Sequence, residues 1–280
     1  RDIGDFIVGR LLPFRRKRMI GPFIFIDHMG PERLGPGKYM DIGQHPHIGL
    51  STLTYLFEGE VVHRDSLGTQ QRVVPGSVNW MTAGRGITHT ERTPREYRDG
   101  RFFTLHGYQI WVALPKEKEE MDPQFYHAGA SELPQWKENG MAFTLIAGRA
   151  FGRASPVPVH SDLFLVEVKS DTPTHLDLSG QLNGELGILL VDGSLSTDGE
   201  TLEAGSILFS KVRERCHLRL EADTHLMLFG GEPFPEERHI HWNFVSSDPG
   251  RIKAARESWR NRDFPMMEGE DSYIPLPGSE

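Results

Sequence analysis

Two pairs of side chains in this sequence could bind a metal ion, His45 with His47 and His89 with Glu91. The members of each pair are two residues apart, and on a β-strand such residues project from the same face. Two strands of this kind facing each other inside a barrel would bring three imidazoles and one carboxylate to one point. These donors suit Fe, Mn, Ni, Cu or Zn, and the lack of thiolate argues against an iron–sulfur or cysteine-type zinc site. We therefore predict one divalent metal ion at these four side chains.

The surrounding residues predict the strands that must position these pairs. Runs rich in Thr, Tyr, Val and Leu occupy residues 51–57, 61–65, 70–74, 78–81 and 102–114. Short strands with a turn about every 8–12 residues are typical of a β-sandwich or β-barrel. Gly84 and Gly86 come just before the second pair, where they would allow a tight turn of the backbone.

The second half of the sequence repeats the first. Residues 191–194 resemble residues 57–60, and residues 202–208 resemble residues 73–79. A repeat of this length predicts two copies of one β domain rather than a solenoid of short units. Offsetting the four metal-site positions by the same register leads to Ser179, Gln181, Leu218 and Leu220. These are poor ligands, so we predict that the second copy binds no metal.

Charge and turn residues predict the domain boundaries. Residues 116–120 form a mixed-charge run that is typical of a solvated loop or a short helix. We predict a metal-binding domain over residues 1–115, a linker over 116–140, a metal-free domain over 141–232 and a tail over 233–280. In the tail, Asp248-Pro249 predicts the start of a helix. Ile252, Ala255 and Trp259 would share one face of that helix.

Composition narrows the possible function classes. The 280 residues carry a formal net charge of −8 at pH 7, which disfavours direct binding to nucleic-acid phosphates. The single cysteine, Cys216, excludes an intramolecular disulfide. No apolar run reaches the roughly 18–20 residues that span a bilayer, and no secretory leader is evident. We therefore expect a cytoplasmic protein without a membrane partner, and the sequence leaves its oligomeric state open.

Several motifs together resemble the pirin family of the cupin superfamily. They are His-Pro-His at 45–47, Trp-Met-Thr-Ala-Gly-Arg-Gly-Ile-Thr-His at 80–89, and residues 109–115 and 230–233. The resemblance covers almost the whole chain. It implies an all-β fold of two cupin barrels (double-stranded β-helix, or jelly-roll, barrels) packed face to face, with a short C-terminal helix.

The resemblance also implies a site. In pirins the N-terminal barrel binds one metal, usually described as iron, and the ligands carry over onto His45, His47, His89 and Glu91. The C-terminal barrel has no ligands. Many cupins carry a glutamate four residues after the second histidine, but Ser51 stands at that position here. Any carboxylate ligand must therefore be Glu91.

Two kinds of function follow from the resemblance. One is a quercetin (flavonol) 2,3-dioxygenase with a small aromatic substrate, in which Glu91 is the catalytic residue that takes the proton of the flavonol 3-hydroxyl. The other is a metal-containing regulator that binds a transcription factor or a metabolic enzyme, and an acidic net charge suits a protein partner. A hydrolase or isomerase is a third alternative, since the cupin fold hosts many reactions.

Other side chains have two interpretations each. His63 and His106 either give outer hydrogen bonds to the ligands or are ordinary strand histidines. Gln109 contacts either a substrate or a neighbouring strand. Aromatic residues could form the core or hold a flat ligand at the barrel mouth, and the candidates are Phe23, Phe25, Tyr55 and Trp80. His239 and His241 form another His-x-His, which we expect on a surface strand.

Overall fold

The structure, a computed structural model, describes residues 8–14, 17–197, 199–211 and 217–278. The apolar pair Phe6-Ile7, which by its residue types predicts the start of a strand, lies outside the described residues, and so does the lone Cys216. The chain divides into two units. The first takes its described residues from Arg1–Phe14, Ile24–Ala130 and Pro235–Glu280, and the second from Arg15–Phe23 and Ser131–Phe234.

The first unit contains two antiparallel sheets. Its strands are β1 (Val8–Leu12), β2 (Phe23–Leu34), β3 (Asp41–His47), β4 (Leu50–Glu58), β5 (Val61–Asp65), β6 (Gln70–Val73), β7 (Val78–Thr82), β8 (Ile87–Arg92), β9 (Phe103–Ala113) and β10 (Gln124–Ala128). The larger sheet has the order β1-β2-β9-β4-β7-β10, and the smaller has the order β3-β8-β5-β6. In β5, Val61, His63 and Asp65 are buried while the residues between them are partly exposed, as expected for a strand with one face toward a core.

The second unit is built in the same way. Its strands are β11 (Gln135–Glu138), β12 (Met141–Ala150), β13 (Arg153–Ala154), β14 (Leu163–Ser170), β15 (Thr174–Asp177), β16 (Glu185–Asp192), β17 (Ser194–Thr197), β18 (Glu200–Glu203), β19 (Ile207–Lys211), β20 (His217–Leu220) and β21 (Thr224–Gly231). The larger sheet has the order β11-β12-β14-β21-β16-β19, with β13 beside β12, and the smaller has the order β15-β20-β17-β18. The predicted all-β fold with two copies of one domain is confirmed.

Equivalent turns in the two units depend on equivalent glycines. The backbone N–H of Gly76 donates to the carbonyl of Leu56 at 3.0 Å, and that of Gly205 donates to the carbonyl of Leu190 at 2.9 Å. Both glycines have positive φ, +74° and +79°, which favours glycine because it has no Cβ. The repeat seen in the sequence is thus a repeat of backbone hydrogen bonds.

Apolar side chains from both sheets form the core of each unit. In the first unit, Leu105 of the larger sheet packs in one cluster with Val61 and Val73 of the smaller sheet. In the second unit, Val166 and Leu218 belong to one cluster that draws on both sheets. Full burial of such a side chain contributes roughly 1.5–3 kcal/mol, so the paired sheets are stabilised mainly by this contact.

The tail of the first unit begins with a short hairpin and continues into the helix. The elements are β22 (His239–His241), β23 (Phe244–Ser246) and α1 (Pro249–Asn261). The carboxylate of Asp248 caps the helix by accepting from the backbone N–H of Gly250 at 2.7 Å. The helix buries Ile252, Ala255 and Trp259, as predicted. No helix in the described part of the chain is long and apolar enough to cross a bilayer.

Residues 116–140 hold more structure than a linker requires. Within them, β10 pairs with β7 and β11 pairs with β12. Glu119, in the mixed-charge run, is 2% exposed rather than solvated. Its carboxylate lies 3.1 Å from Arg238 and 3.3 Å from Arg251, and a local charge pattern cannot reveal partners so far along the chain. The domain boundaries at 115, 140 and 232 stay predictions.

Candidate metal centre

The register of β3 against β8 decides which side chains meet. His45 lies directly opposite His89, after a bulge between Ile42 and His45 that shifts the pairing. His45, His47 and His89 each offer one ring nitrogen, and these three atoms lie within 4.8 Å of one another. Metal–imidazole bonds of about 2.0–2.1 Å place such nitrogens within this range around one ion. The structure thus brings together three of the four predicted ligands.

Two glycine turns hold the ends of β3 and β8 side by side. Gly49 follows β3 and donates its backbone N–H to the carbonyl of Gly84 at 2.9 Å. A Cβ on Gly49 would lie 1.9 Å from the Val245 carbonyl oxygen, and one on Gly84 would lie 2.1 Å from that of Met121. Their φ values of +67° and +51° also favour glycine. Gly84 was predicted at such a turn, whereas Gly49 was not.

Burial keeps the three imidazoles neutral. Burial lowers the pKa of His45 to about 4. Burial, together with repulsion from a charged His45, lowers the pKa of His47 and of His89 well below the ordinary value. Neutral imidazole is the form that binds a metal ion, so these side chains need lose no proton on binding at pH 7.

The hydrogen bonds of the triad leave nitrogen atoms without partners. Nδ1 of His45 lies 2.8 Å from the carbonyl oxygen of Gly43, so it carries the hydrogen and leaves Nε2 bare. Nε2 of His89 and both ring nitrogens of His47 are buried without a well-aligned hydrogen bond to the described residues, although the backbone of Asn243 lies near enough to His47 to raise its pKa. Buried polar atoms normally have partners, and a metal ion would supply one to a single nitrogen of each ring. The residues therefore fit a bound metal.

The fourth predicted residue, Glu91, lies beside this group but is not a member of it. One carboxylate oxygen of Glu91 is 2.9 Å from the hydroxyl of Thr54, which is also 2.9 Å from the amide oxygen assigned to Gln109. Burial raises the pKa of Glu91, although His63 and Thr54 oppose the shift. A buried carboxylate with a raised pKa is suited to accept a proton.

A cavity of about 790 Å³ opens at the triad. Phe25 and Trp111 line it, and their rings stack with centroids 3.8 Å apart and planes 10° apart. The guanidinium of Arg10 lies 4.0 Å from the centroid of Phe25 and forms an ion pair with Asp27, which also lines the cavity. Mostly apolar walls with a few placed polar groups are typical of small-molecule sites.

Several of these residues were not expected from the sequence. Of the four aromatic candidates, Phe25 alone lines the cavity. His241 lies on the partly exposed strand β22 and also lines this cavity. Trp111 was missed although it follows Gln109 by two residues on β9, so that both side chains share a face. That spacing was the available signal. His106 pairs with His28 at 3.0 Å and is not among the cavity's lining residues.

Comparisons with known proteins extend these observations. The Pirin family model matches residues 6–112, and the Pirin C-terminal cupin domain model matches residues 165–265. A pirin-like protein from Caulobacter vibrioides is 46% identical over 284 residues, which cover 99% of this chain and 96% of the relative. The chain belongs to the pirin family. The resemblance inferred from its motifs is confirmed.

Solved structures of the family show the same fold. A quercetin 2,3-dioxygenase from Acinetobacter baumannii is similar with a TM-score of 0.86 and 36% identity, covering 96% of this chain and 89% of that chain. Another quercetin 2,3-dioxygenase from the same organism is similar with a TM-score of 0.83 and 25% identity, covering 97% and 95%. In this pirin-family chain the three-histidine cluster lies in the unit that the Pirin model matches.

Proposed function

We propose that this pirin-family protein is a metal-dependent quercetin (flavonol) 2,3-dioxygenase that works at the His45, His47 and His89 cluster. The observation that carries the proposal is three buried imidazoles at an aromatic-lined cavity, two of which, His47 and His89, have ring nitrogens without a well-aligned hydrogen bond to the described residues. Similarity to two quercetin 2,3-dioxygenase structures supports the same substrate class.

In this proposal the three histidines hold one divalent metal ion, and Glu91 completes the ligand set or stands beside it. The donors suit Fe, Mn, Ni, Cu or Zn, and iron is the ion that the family resemblance implies. When bound, the ion supplies Lewis acidity that lowers the pKa of a coordinated hydroxyl.

The remaining steps use the chain's own residues. A flat flavonol packs against the stacked rings of Phe25 and Trp111. The amide of Gln109 is within the same cavity and can hydrogen-bond a flavonol oxygen. Glu91 takes the proton of the 3-hydroxyl, since its buried carboxylate lines the same cavity as the triad.

The test combines metal analysis with turnover. The purified chain, loaded separately with each candidate metal, is mixed with quercetin while oxygen consumption and carbon monoxide release are followed. We expect close to one metal ion per chain and turnover with at least one redox-competent metal. Glu91→Gln keeps the side chain's size but removes the base, so it should lose most of the turnover. Its metal content is measured in parallel to separate loss of the base from loss of a ligand.

A regulatory role is the alternative outcome of this test. If every redox-competent metal form is inert toward flavonols while a transcription factor or metabolic enzyme binds tightly, the dioxygenase proposal is wrong. The protein would then be a metal-containing binding partner.

A further inference from the structure

We propose that the His63–Asp65 pair fixes the hydrogen of His89 on Nδ1 and thereby leaves Nε2 of His89 bare to bind the metal. His63 and Asp65 are positioning residues in this inference, since they act through His89. The inference rests on the proposed metal site and adds to it the groups that prepare one ligand.

The three side chains form a buried line across β5 and β8. Asp65 lies opposite His89 in the strand pair, and His63 is two residues before Asp65 on the same strand. The Nδ1 atoms of His89 and His63 are 3.3 Å apart, and Nε2 of His63 is 3.0 Å from Oδ2 of Asp65. The side chains of His63 and Asp65 are 5% and 0% exposed, so water competes little for these bonds.

The backbone holds the far end of this line. Oδ1 of Asp65 accepts from the backbone N–H groups of Leu67 at 2.9 Å and Thr69 at 3.0 Å, in the turn between β5 and β6. These two donors fix the carboxylate in place. Oδ2 is left to accept from His63.

The order of the hydrogens follows from these partners. An ionised carboxylate can only accept, so the hydrogen between His63 and Asp65 sits on Nε2 of His63. Nε2 of His89 has no acceptor for a hydrogen among the described residues, so the hydrogen between the two Nδ1 atoms belongs to His89, and Nδ1 of His63 accepts it. Nε2 of His89 is left bare, in agreement with its burial without a hydrogen-bond partner among the described residues. Outer hydrogen bonds of this kind commonly fix the tautomer of a metal-binding histidine.

His45 obtains the same tautomer in a different way. Its Nδ1 donates to the backbone carbonyl of Gly43 at 2.8 Å, and no side-chain substitution removes that acceptor. His89 is therefore the ligand whose tautomer depends on side chains, and it can be tested by substitution.

The key variant is Asp65→Asn. Its amide oxygen can keep the two backbone donors, but its NH₂ group then faces His63 and reverses each hydrogen in the line, which places a hydrogen on Nε2 of His89. We expect the affinity of the full chain for Zn²⁺, measured by competition with a chromophoric chelator, to fall about 10–100-fold. The Zn²⁺ affinity of His63→Leu should fall by a similar factor. His63→Asn should retain more affinity, because its amide oxygen can accept a hydrogen bond from His89.

A matched control is Glu167→Gln in the second unit. Oε1 of Glu167 is 2.8 Å from Nε2 of His225, so this variant also removes a carboxylate beside an imidazole. Its Zn²⁺ affinity should equal that of the wild type. Thermal unfolding of every metal-free variant shows whether it is folded before affinities are compared.

Nitrogen NMR of the histidine rings gives a readout that needs no metal. The wild type should show His89 with its hydrogen on Nδ1, and Asp65→Asn should show it on Nε2. Wild-type His89 with its hydrogen on Nε2, or unchanged Zn²⁺ affinity in both Asp65→Asn and His63→Leu, would overturn the inference. If the wild type takes up no metal at all, the proposed function fails, while the ring spectra of the metal-free chain still decide the tautomer.

Discussion

The hydroxyl of Thr54 lies between Glu91, the proposed base, and Gln109, a proposed substrate contact. The Thr54 hydroxyl has one hydrogen to donate, but it lies within hydrogen-bond distance of both Glu91 and Gln109. The second hydrogen comes either from a protonated Glu91 carboxyl or from the NH₂ group of Gln109, if its side-chain amide is rotated by 180°. Thr54→Val keeps the branched shape and removes this link. We expect quercetin turnover to fall roughly tenfold, or about 1.4 kcal/mol in barrier, with metal content unchanged.

Oxygen consumption and metal analysis check this expectation. Thr82→Val is the matched control, because it breaks a buried hydroxyl pair with Ser51 at 3.0 Å that is outside the cavity lining. Equal losses of turnover in the two variants would show that Thr54 acts through general stability.

A second prediction about a single residue concerns His47, whose buried ring nitrogens make no well-aligned hydrogen bond to the described residues. His47→Ala should lower the metal content from about one ion per chain to nearly none. The free energy of unfolding of the metal-free chain should change by less than about 1 kcal/mol, since removing a buried polar group without a well-aligned hydrogen bond offsets the lost packing. Elemental analysis and urea unfolding provide the two measurements. His241→Ala, also at the cavity, should keep its metal, and a fully loaded His47→Ala would contradict the ligand assignment.

Among the elements, the tail after α1 supports the strand that carries two ligands. The side chain of Gln44 accepts from the backbone N–H of Met267 at 2.6 Å and donates to the carbonyl of Ser272 at 3.2 Å. Gln44 directly precedes His45. Gln44→Ala should therefore destabilise the metal-free chain by about 2 kcal/mol and weaken metal binding. Urea unfolding and chelator competition measure these effects, and unchanged values in both would show that the tail does not support β3.

An ion pair between the tail and β8 makes stability depend on pH. Arg92 binds Glu270 through N–O distances of 2.7 and 2.9 Å, and these hydrogen bonds lower the pKa of Glu270 from 4.5 to about 2. A carboxylate with a lowered pKa stabilises the fold fully above pH 4.5, and this contribution is lost as the pH falls toward 2. Glu270→Gln should therefore be less stable than the wild type at pH 7, and the difference should shrink below pH 4.5.

Urea unfolding at a series of pH values tests this dependence. Asp99→Asn is the control, because Asp99 and Arg101 form an exposed pair that solvent screens. Asp99→Asn should change the free energy of unfolding much less than Glu270→Gln does. A Glu270→Gln difference that stays constant as the pH falls would contradict the assigned role of the ion pair.

The elements also show where sequence reasoning succeeds. Strand β5, the turn at Gly84 and helix α1 were predictable because alternation, glycine and capping signals are local. The histidine pairs were predictable for the same reason, since i and i+2 share a strand face. The contact of Phe25 with Trp111 was not, because it requires β2 and β9 to be neighbours in the sheet, and that pairing is set by packing of the whole unit.

The register of the second unit was predicted incorrectly in one place. Ser179 and Gln181 lie in the exposed turn after β15 and do not occupy the positions equivalent to the first histidine pair. Those positions belong to Leu176 and Leu178, three residues earlier, because the loops of the two copies differ in length. Leu218 was placed correctly, and it is buried in the core.

At the scale of the whole molecule, the two units share one arrangement of strands but differ in the side chains that fill their interiors. Leu176 lies opposite Leu218 in the second unit, at the place where the first unit has His45 opposite His89. The leucines belong to a continuous apolar cluster. Their side chains offer no donor atom, so an ion entering there would lose its water shell without gaining ligands.

The loaded chain should therefore contain one metal ion, held in the first unit. Anomalous scattering from crystals of metal-loaded protein should show one strong peak at His45, His47 and His89, and none inside the leucine core of the second unit. His217 begins β20, but it is exposed and lies 3.4 Å from Asp177, and such an exposed pair is a poor site. His217→Ala should leave the metal content unchanged, while His89→Ala should lower it sharply. A second strong peak inside the leucine core would show that the equivalence of the two units is wrong.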